Sequence, residues 1–493
     1  MKNDLVLGID VGTSSIKALY ISLDGTFFHK DEEKITTHQT GVIAEQVAED
    51  YLTAIQNISK RNPELNKKVV SVGLSGQTPS LVCMDDSGKS TFPVLIWQDN
   101  RASEEAAELA KIFGDPIKVI GTSLPWSASA CPAKLFWIHK HHPVVQETTD
   151  WLLQPKDFVG FHLTGQIVSD PWSSKGLCNV LNWQVPENLF AHIGWSHTVV
   201  PTIKAGEDTR GVISHSGSGW SGLPAGVPVT VGWSDAMSGM NSLGVMSKPT
   251  SFIITGTSAI VGCSITAQIE DAKALYVIPK SCAPMTIVYG PTQSSGSAIN
   301  WAARLFSSSE AEIIQAGSQN NSPKVPVFLP YISGERAPLW RNDLRGGFFE
   351  IAQSDEFGSF ARSVMEGISF AEKQVLELAH EITGEANAQV SLGGHAGNDI
   401  RWETTRTRTL GLKLLRYEDE DTTTRGAAML ALNLIIKNFQ LAYETFRVLP
   451  IVVSVSAQDL EYASNNYQKF LSAQQNLIAY TDEKDEGEAQ SVD

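Results

Sequence analysis

Cysteine is scarce in this chain. Among 493 residues there are five, Cys83, Cys131, Cys178, Cys263 and Cys282, and no two form a C-x-x-C pair. An odd, scattered set excludes a disulfide framework and a paired-cysteine zinc site, and it predicts a reducing compartment. No apolar run approaches the length of a membrane span. The first residues, MKNDLVLGIDVG, set Asp4 and Asp10 around a very short apolar stretch, unlike a signal peptide, so a cytoplasmic location is expected. Positive charge is in the minority: 38 Lys and Arg face 54 Asp and Glu, a formal charge of −16. That balance excludes a protein whose main work is gripping nucleic acid or an anionic membrane, but not one that holds a small anion with a few local groups. What remains, 42% hydrophobic and 19% charged residues, is the composition of a folded soluble protein. The length predicts two domains, with room for a third.

Apolar runs alternate with turn residues and with amphipathic stretches. Leu5 to Ile9 and Ile16 to Ile21 are strand-like around Gly12-Thr13-Ser14, and Asp24-Gly25 marks a second turn. Val69 to Leu74 and Val94 to Trp97 are further strands, while Glu45 to Arg61 and Arg101 to Phe113 carry helical periodicity, which together predict α/β architecture. Near residue 245 the pattern restarts: Ser251 to Thr255, Gly256-Thr257-Ser258, then Ala259 to Ile265, so GTSSIKA at 12–18 is echoed by GTSAIVG at 256–262. Phe360, Val364, Ile368, Ala371, Val375 and Leu378 make one buried helical face, and Arg425 to Ile436 another helix. Thr481 to Asp493 is polar and charged and predicts a disordered tail.

Three short motifs point nowhere. Gly217 to Gly222 spells G-x-G-x-x-G, but the turn Leu223-Pro224-Ala225-Gly226 follows where a dinucleotide site needs a helix, so a surface loop is expected. Gly88-Lys89-Ser90 has Cys83 where a P-loop needs its first glycine, and DDSGKS is a hairpin turn. His139, His141 and His142 lack partners at metal spacing and mark a solvated helix end.

Two carboxylates stand apart. Asp10 ends an apolar strand, where a carboxylate is costly unless a cation or hydrogen bonds compensate it. It could be a turn residue, or it could hold Mg²⁺ beside a phosphate cradled by the turn's N–H groups, with Thr13 and Ser14 adding hydroxyls. Asp235 follows the strand-like PVTVG and opens a helix. It could be an N-cap, or a base that takes a proton from an attacking hydroxyl. Gly256-Thr257-Ser258 would be a second phosphate cradle, and Gly393-Gly394 would let backbone approach a ring or ribose closely.

In this order the motifs resemble the FGGY carbohydrate kinases, most closely their xylulokinase branch. The matching stretches run from about Leu5 to about Leu432: GIDVGTSSIKA from Gly8, GLSGQ from Gly73, VLIWQDNRA from Val94, LLQPKDFVGFHLTG from Leu152, the Asp235 region, ITGTS from Ile254, SSGSAINW from Ser294, YISGERAPLW from Tyr331, SLGGHAGND from Ser391 and RGAAMLA from Arg425.

The resemblance implies two actin-like, ribonuclease-H-like domains closing a cleft around sugar and ATP: residues 1–245, carrying the sugar site, the first phosphate turn and the base; residues 246–480, carrying the second phosphate turn and the adenosine site; and the tail 481–493. It implies Asp235 as catalytic base, Asp10 at the Mg²⁺, directly or through water, with Asp235 also near the metal, and Thr13, Ser14, Gly256 and Thr257 along the phosphates. Gly296, Asn300, Gly394 and Asn398 are expected on the nucleotide. Gln77, Thr78, Trp97, Asp99 and Asp235 are expected on the sugar. A homodimer is a family-level expectation. The implied activity is ATP-dependent phosphorylation of a terminal hydroxyl of a small sugar such as a ketopentose. Kinases of glycerol, a tetritol, a hexulose or an aldonate, a non-catalytic sensor, and an actin-like ATPase are the alternatives. Two departures fall on sugar contacts. Gln77 is followed by Thr78 and Pro79, where xylulokinases carry Met-His and glycerol kinases Arg-Glu, and Ala236 stands where xylulokinases carry Asn. Losing polar partners changes which hydroxyls a site accepts, so a best substrate other than D-xylulose is expected.

Overall fold

The computed structural model describes residues 4–269, 272–394, 399–418 and 421–490, with side chains as far as Lys484. The strands that matter for the site are, in chain order, β1 (Leu5–Val11), β2 (Ser15–Ser22), β3 (Phe28–Lys34), β4 (Val69–Gly76), β5 (Thr209–Val212), β6 (Pro228–Thr230), β7 (Trp233–Ser234), β8 (Thr250–Thr255), β9 (Ala259–Ile265), β10 (Tyr276–Ile278), β11 (Thr286–Pro291), β12 (Gln389–Gly394), β13 (Lys413–Arg416) and β14 (Ile451–Val453). The helices that matter for it are α1 (Ala48–Arg61), α2 (Cys131–His141), α3 (Asp235–Ser242), α4 (Gly296–Leu305), α5 (Phe357–Thr383), α6 (Thr422–Ile436) and α7 (Ala457–Gln490).

The chain divides into two compact units. The first holds residues 1–248, 278–286 and 421–447; the second holds 249–277, 287–420 and 448–493. The first segment ends three residues past the boundary expected near 245, and α6, expected in the second half, packs with the first unit. The first unit is built on a sheet of order β5-β6-β4-β1-β2-β3, with β7 also paired to β4. β1 is antiparallel to β2 and parallel to β4. The second unit repeats this arrangement: its sheet runs β10-β11-β9-β8-β12-β13-β14, with β8 antiparallel to β9 and parallel to β12. The GTS echo in the sequence is therefore a repeated hairpin, each flanked by a parallel strand.

β1 and β4 read as near-continuous apolar runs because both faces are covered: every residue of β1 is buried. One face packs on α1, whose Tyr51, Ala54, Ile55 and Ile58 join the core of Leu7, Ile9, Val72 and Leu74. The other face meets α6 at backbone distance. A Cβ on Gly8 would lie 2.3 Å from the Thr424 carbonyl oxygen, and one on Gly73 1.8 Å from that of Ala427. These glycines let α6 sit directly on the sheet. α6 in turn touches α3, where a Cβ on Gly426 would strike the Ser238 carbonyl at 1.8 Å.

Two expectations change. Gly217 to Gly222 is not a loop: His215–Ser221 is helical, capped by the Ser214 hydroxyl, and Gly217 is needed because a Cβ there would meet the Leu163 carbonyl at 2.0 Å. Residues 481–490 continue helix α7 rather than forming a disordered tail. That helix is anchored upstream by Tyr467, Phe470 and Ala473, packed on Tyr331, Leu344 and Phe370. Among the described residues no helix is long and apolar enough to cross a membrane.

Candidate active site

In the first unit the site forms where three strands end side by side. Asp10 on β1 stands opposite Ser75 on β4, and Trp233 on β7 stands opposite the same Ser75, so the β1 and β7 ends flank β4. Asp235 follows β7 as the first residue of α3, whose N-terminus is capped by the Ser234 hydroxyl accepting from the Met237 N–H. The cap is thus Ser234, and the Asp235 carboxyl is left for other work. Its Oδ1 accepts from the Ala236 N–H at 2.7 Å. Burial, and then the neighbouring Asp10 charge, push its pKa up to about 7, against a pull from Lys175. A carboxyl that titrates near neutrality is suited to taking a proton and giving it up.

Asp10 is buried, with Oδ2 accepting from the Thr423 hydroxyl of α6 at 2.7 Å. Oδ1 has no hydrogen-bond partner. Burial holds its pKa above the usual range. A buried carboxylate oxygen left unsatisfied, next to a second carboxyl, is a poor arrangement without a cation, so the pair fits Mg²⁺, directly or through water. Among the described residues no group of three or more His, Cys, Asp or Glu side chains is placed to hold a metal, the histidines of α2 included.

The hairpin tip joins this acidic corner to the residues expected on the sugar. The Thr13 hydroxyl donates to Gln77 Oε1 at 3.2 Å and accepts from the Trp97 indole N–H at 2.9 Å. Gln77 is fully buried, and its Nε2 donates to Gln46 Oε1 at 2.8 Å. Gln77 therefore spends its amide on the scaffold and positions Thr13. Asp99 is likewise consumed. It accepts from the Ala44 N–H at 2.8 Å and is forked by Arg101 at 2.7–3.0 Å, so no oxygen is free for a sugar hydroxyl. Thr78 and Trp97 remain available: Thr78 is half-buried and Trp97 is 45% exposed. Ser14 is exposed at the tip.

In the second unit the corresponding tip is Gly256 to Ser258. Its carbonyls face α4: Gly256 accepts from the Gly296 N–H at 3.0 Å, and Thr257 from the Ser295 and Ser297 N–H groups at 3.0 Å. The first N–H groups of α4 are thus spent on the turn rather than presented to a phosphate. Thr257 and Asn300 are exposed. Gly394 ends β12 at φ +101, where a Cβ would lie 2.1 Å from the Thr255 carbonyl oxygen, so only glycine fits. Asn398 lies outside the described residues. Thr423, Lys175 and Lys134 carry no motif of their own and escape a reading of the sequence, whereas the Asp-x-Arg spacing of Asp99 and Arg101 is a signal of an ion pair.

The sequence matches the model of the FGGY family of carbohydrate kinases, N-terminal domain, over residues 5–241, and that of its C-terminal domain over 251–434. Among curated relatives, a xylulose kinase of Lactococcus lactis is 26% identical over 415 residues, covering 80% of each chain, and a gluconokinase of Bacillus subtilis is 25% identical over 87% of each. Among solved structures, a xyloylose kinase from Brucella ovis superposes with a TM-score of 0.87 at 21% identity, covering 97% of this chain and 100% of the other. Plasmodium falciparum glycerol kinase with ADP superposes with a TM-score of 0.85 at 17% identity, covering 97% and 98%. With both domain models matched in order across most of its length, the chain belongs to the FGGY family of carbohydrate kinases.

Proposed function

We propose that the chain transfers the γ-phosphoryl group of ATP to a terminal hydroxyl of a small sugar of ketopentose size, with Asp235 as the base. The reading rests on one observation: two carboxyls, Asp10 and Asp235, stand at strand ends on either side of β4, close enough for the Asp10 charge to act on Asp235, and Asp235 is poised near neutrality. Asp235 takes the hydroxyl proton as the sugar oxygen attacks phosphorus, and the bond to the ADP oxygen breaks. Mg²⁺, when bound, would neutralise phosphate charge on this acidic protein. Asp10 would hold it through Oδ1, its Oδ2 fixed by Thr423. Trp97 supplies an apolar wall for the sugar, and Thr78 a hydroxyl beside it. On the second unit, Thr257, Asn300 and the close backbone approach at Gly394 are the nucleotide contacts. Five cysteines, all unpaired and buried, agree with action in a reducing compartment.

The substrate departs from D-xylulose because Thr78, Pro79 and Ala236 replace polar sugar contacts. The test is a coupled ADP-release assay over pentuloses, hexuloses, tetritols, glycerol and aldonates. Sugar-stimulated release led by a substrate other than D-xylulose is expected. D-xylulose leading by a wide margin would overturn the substrate assignment, and release indifferent to every sugar would overturn the kinase reading.

A further inference from the structure

Lys134 lies in the first turns of α2 with its side chain completely buried in the cluster around Leu81, Leu95 and Leu135. Burying an ammonium is expensive unless its donors are met. Here they are met by three backbone carbonyls: Nζ donates to Pro79 O at 3.0 Å, Leu95 O at 3.0 Å and Ile96 O at 2.9 Å. Among the described residues no carboxylate lies within hydrogen-bond distance of it. Burial pulls its pKa down to about 8, so the fold bears a real electrostatic cost to keep it there. Leu95 and Ile96 keep backbone donors of their own, from Leu81 and Asp99, but the Pro79 carbonyl has no other hydrogen-bond donor among the described residues.

The three carbonyls belong to two segments that carry the sugar side of the site. Pro79 follows Gln77 and Thr78; Leu95 and Ile96 precede Trp97 and Asp99. Both segments converge on the Thr13 hydroxyl, through Gln77 Oε1 and the Trp97 indole. Only a tetrahedral ammonium presents three donors from one atom to three converging carbonyls; a guanidinium is planar and an amide offers two.

We propose that Lys134 is a positioning residue for the sugar, a buried tripod that fixes the Thr78–Pro79 backbone against the Ile96–Trp97 backbone and so sets the gap in which the sugar lies. This rests on the assignment of Thr78 and Trp97 to the sugar site. It bears first on the sugar: neither segment itself carries a residue assigned to the nucleotide, and the phosphate-side Thr13 is touched only at its hydroxyl, through Gln77 and Trp97.

Steady-state kinetics with the best sugar, on Lys134→Met, Lys134→Gln and Trp97→Ala beside the parent, test it, with the folded fraction of each variant taken from thermal unfolding. Displaced walls are expected to raise the sugar KM of Lys134→Met between about tenfold and a hundredfold, leaving the ATP KM within about twofold. Lys134→Gln, which keeps two donors, should fall between Met and the parent, and it carries the test if the Met variant does not fold. A merely structural lysine would lower the folded fraction and leave both KM values alone. If Trp97→Ala raises the sugar KM and neither Lys134 variant does, or if sugar and ATP KM rise together in the Lys134 variants, Lys134 does not position the sugar. If Trp97→Ala leaves the sugar KM unchanged, the site assignment fails and takes this proposal with it.

Discussion

Asp235 bears opposed demands. As the proposed base it must be able to ionise, yet in the ligand-free protein its ionised form is disfavoured by burial and by the Asp10 charge, which together place its pKa near 7 against an ordinary value of 3.8. Between those two values the native state keeps a proton that the unfolded chain has lost, so stability falls as pH rises through this window. Replacing Asp235 by Asn removes the ionisation. The variant should be more stable than the parent at pH 8 by about 1–3 kcal/mol without Mg²⁺ or nucleotide, and the gap should shrink to about a third of that near pH 5. Urea unfolding at the two pH values reads this directly; an equal gap at both, or a less stable variant at pH 8, would refute it. The same variant should lose roughly 10²–10⁴ in kcat while still binding ATP, as removal of a general base does; parent-level turnover would show that the base lies elsewhere. Asp10 and Asp235 are visible in the sequence because a carboxylate closing an apolar strand is conspicuous. The fate of Gln77 is not visible, and that of Asp99 shows only in part, through Arg101 two residues on. Both sit on matching motifs, but whether an amide or carboxylate faces a ligand or the scaffold depends on partners such as Gln46 and Ala44, more than 30 residues away in sequence.

The repeated hairpin is legible at the scale of elements because its Gly-Thr-Ser tip recurs and its strands alternate with turns. The placement of α6 is not. Its apolar face declares that it is buried, but not against which sheet, and the answer is written in glycines on two distant strands and on the helix itself. Gly8, Gly73 and Gly426 admit backbone-to-backbone packing between α6, the first sheet and α3, and that packing brings the Thr423 hydroxyl onto Asp10. Gly73→Ala should therefore cost about 2–4 kcal/mol, since its methyl would have to displace the Ala427 carbonyl, and it should impair turnover by dragging Thr423 off Asp10. Gly219 offers the contrast. It lies in helix His215–Ser221 with nothing within 4 Å of an added methyl. Gly219→Ala should stabilise the protein by about 0.5–1 kcal/mol with kinetics unchanged. Denaturant titration of both separates the two kinds of glycine; a neutral Gly73→Ala would mean that α6 does not sit on the sheet as closely as described.

Over the whole molecule, composition alone misjudges the C-terminal region. Asp482, Glu483, Asp485, Glu486, Glu488 and Asp493 stand against Lys484, so 481–493 carries −5 of the net −16 and looks like a solvated tail. The helix nevertheless runs on to Gln490, because it is nucleated by a segment the polar composition hides. Tyr467 stacks with Phe370 on α5 and Phe470 packs tilted against it, Gln474 donates to the Tyr331 hydroxyl, and the Tyr462 hydroxyl bonds Glu366. The charged end adds to this the exposed pair of Arg341 with Asp482 and a Thr481 hydroxyl turned to its own helix. An exposed ion pair contributes little, and it is screened by salt. The two halves of α7 should thus respond in opposite ways to truncation. Ending the chain after Tyr480 should move the melting temperature by about 2 °C or less and leave kcat and both KM values unchanged. Ending it before Ala457 would strip the aromatic cover from Tyr331, Leu344 and Phe370, and should abolish the cooperative unfolding of the second unit and with it all sugar-stimulated ADP release. Scanning calorimetry of the two truncations decides the matter. A large loss on removing only 481–493 would mean that the acidic end is part of the core's support, and survival of the shorter chain would mean that α7 is dispensable.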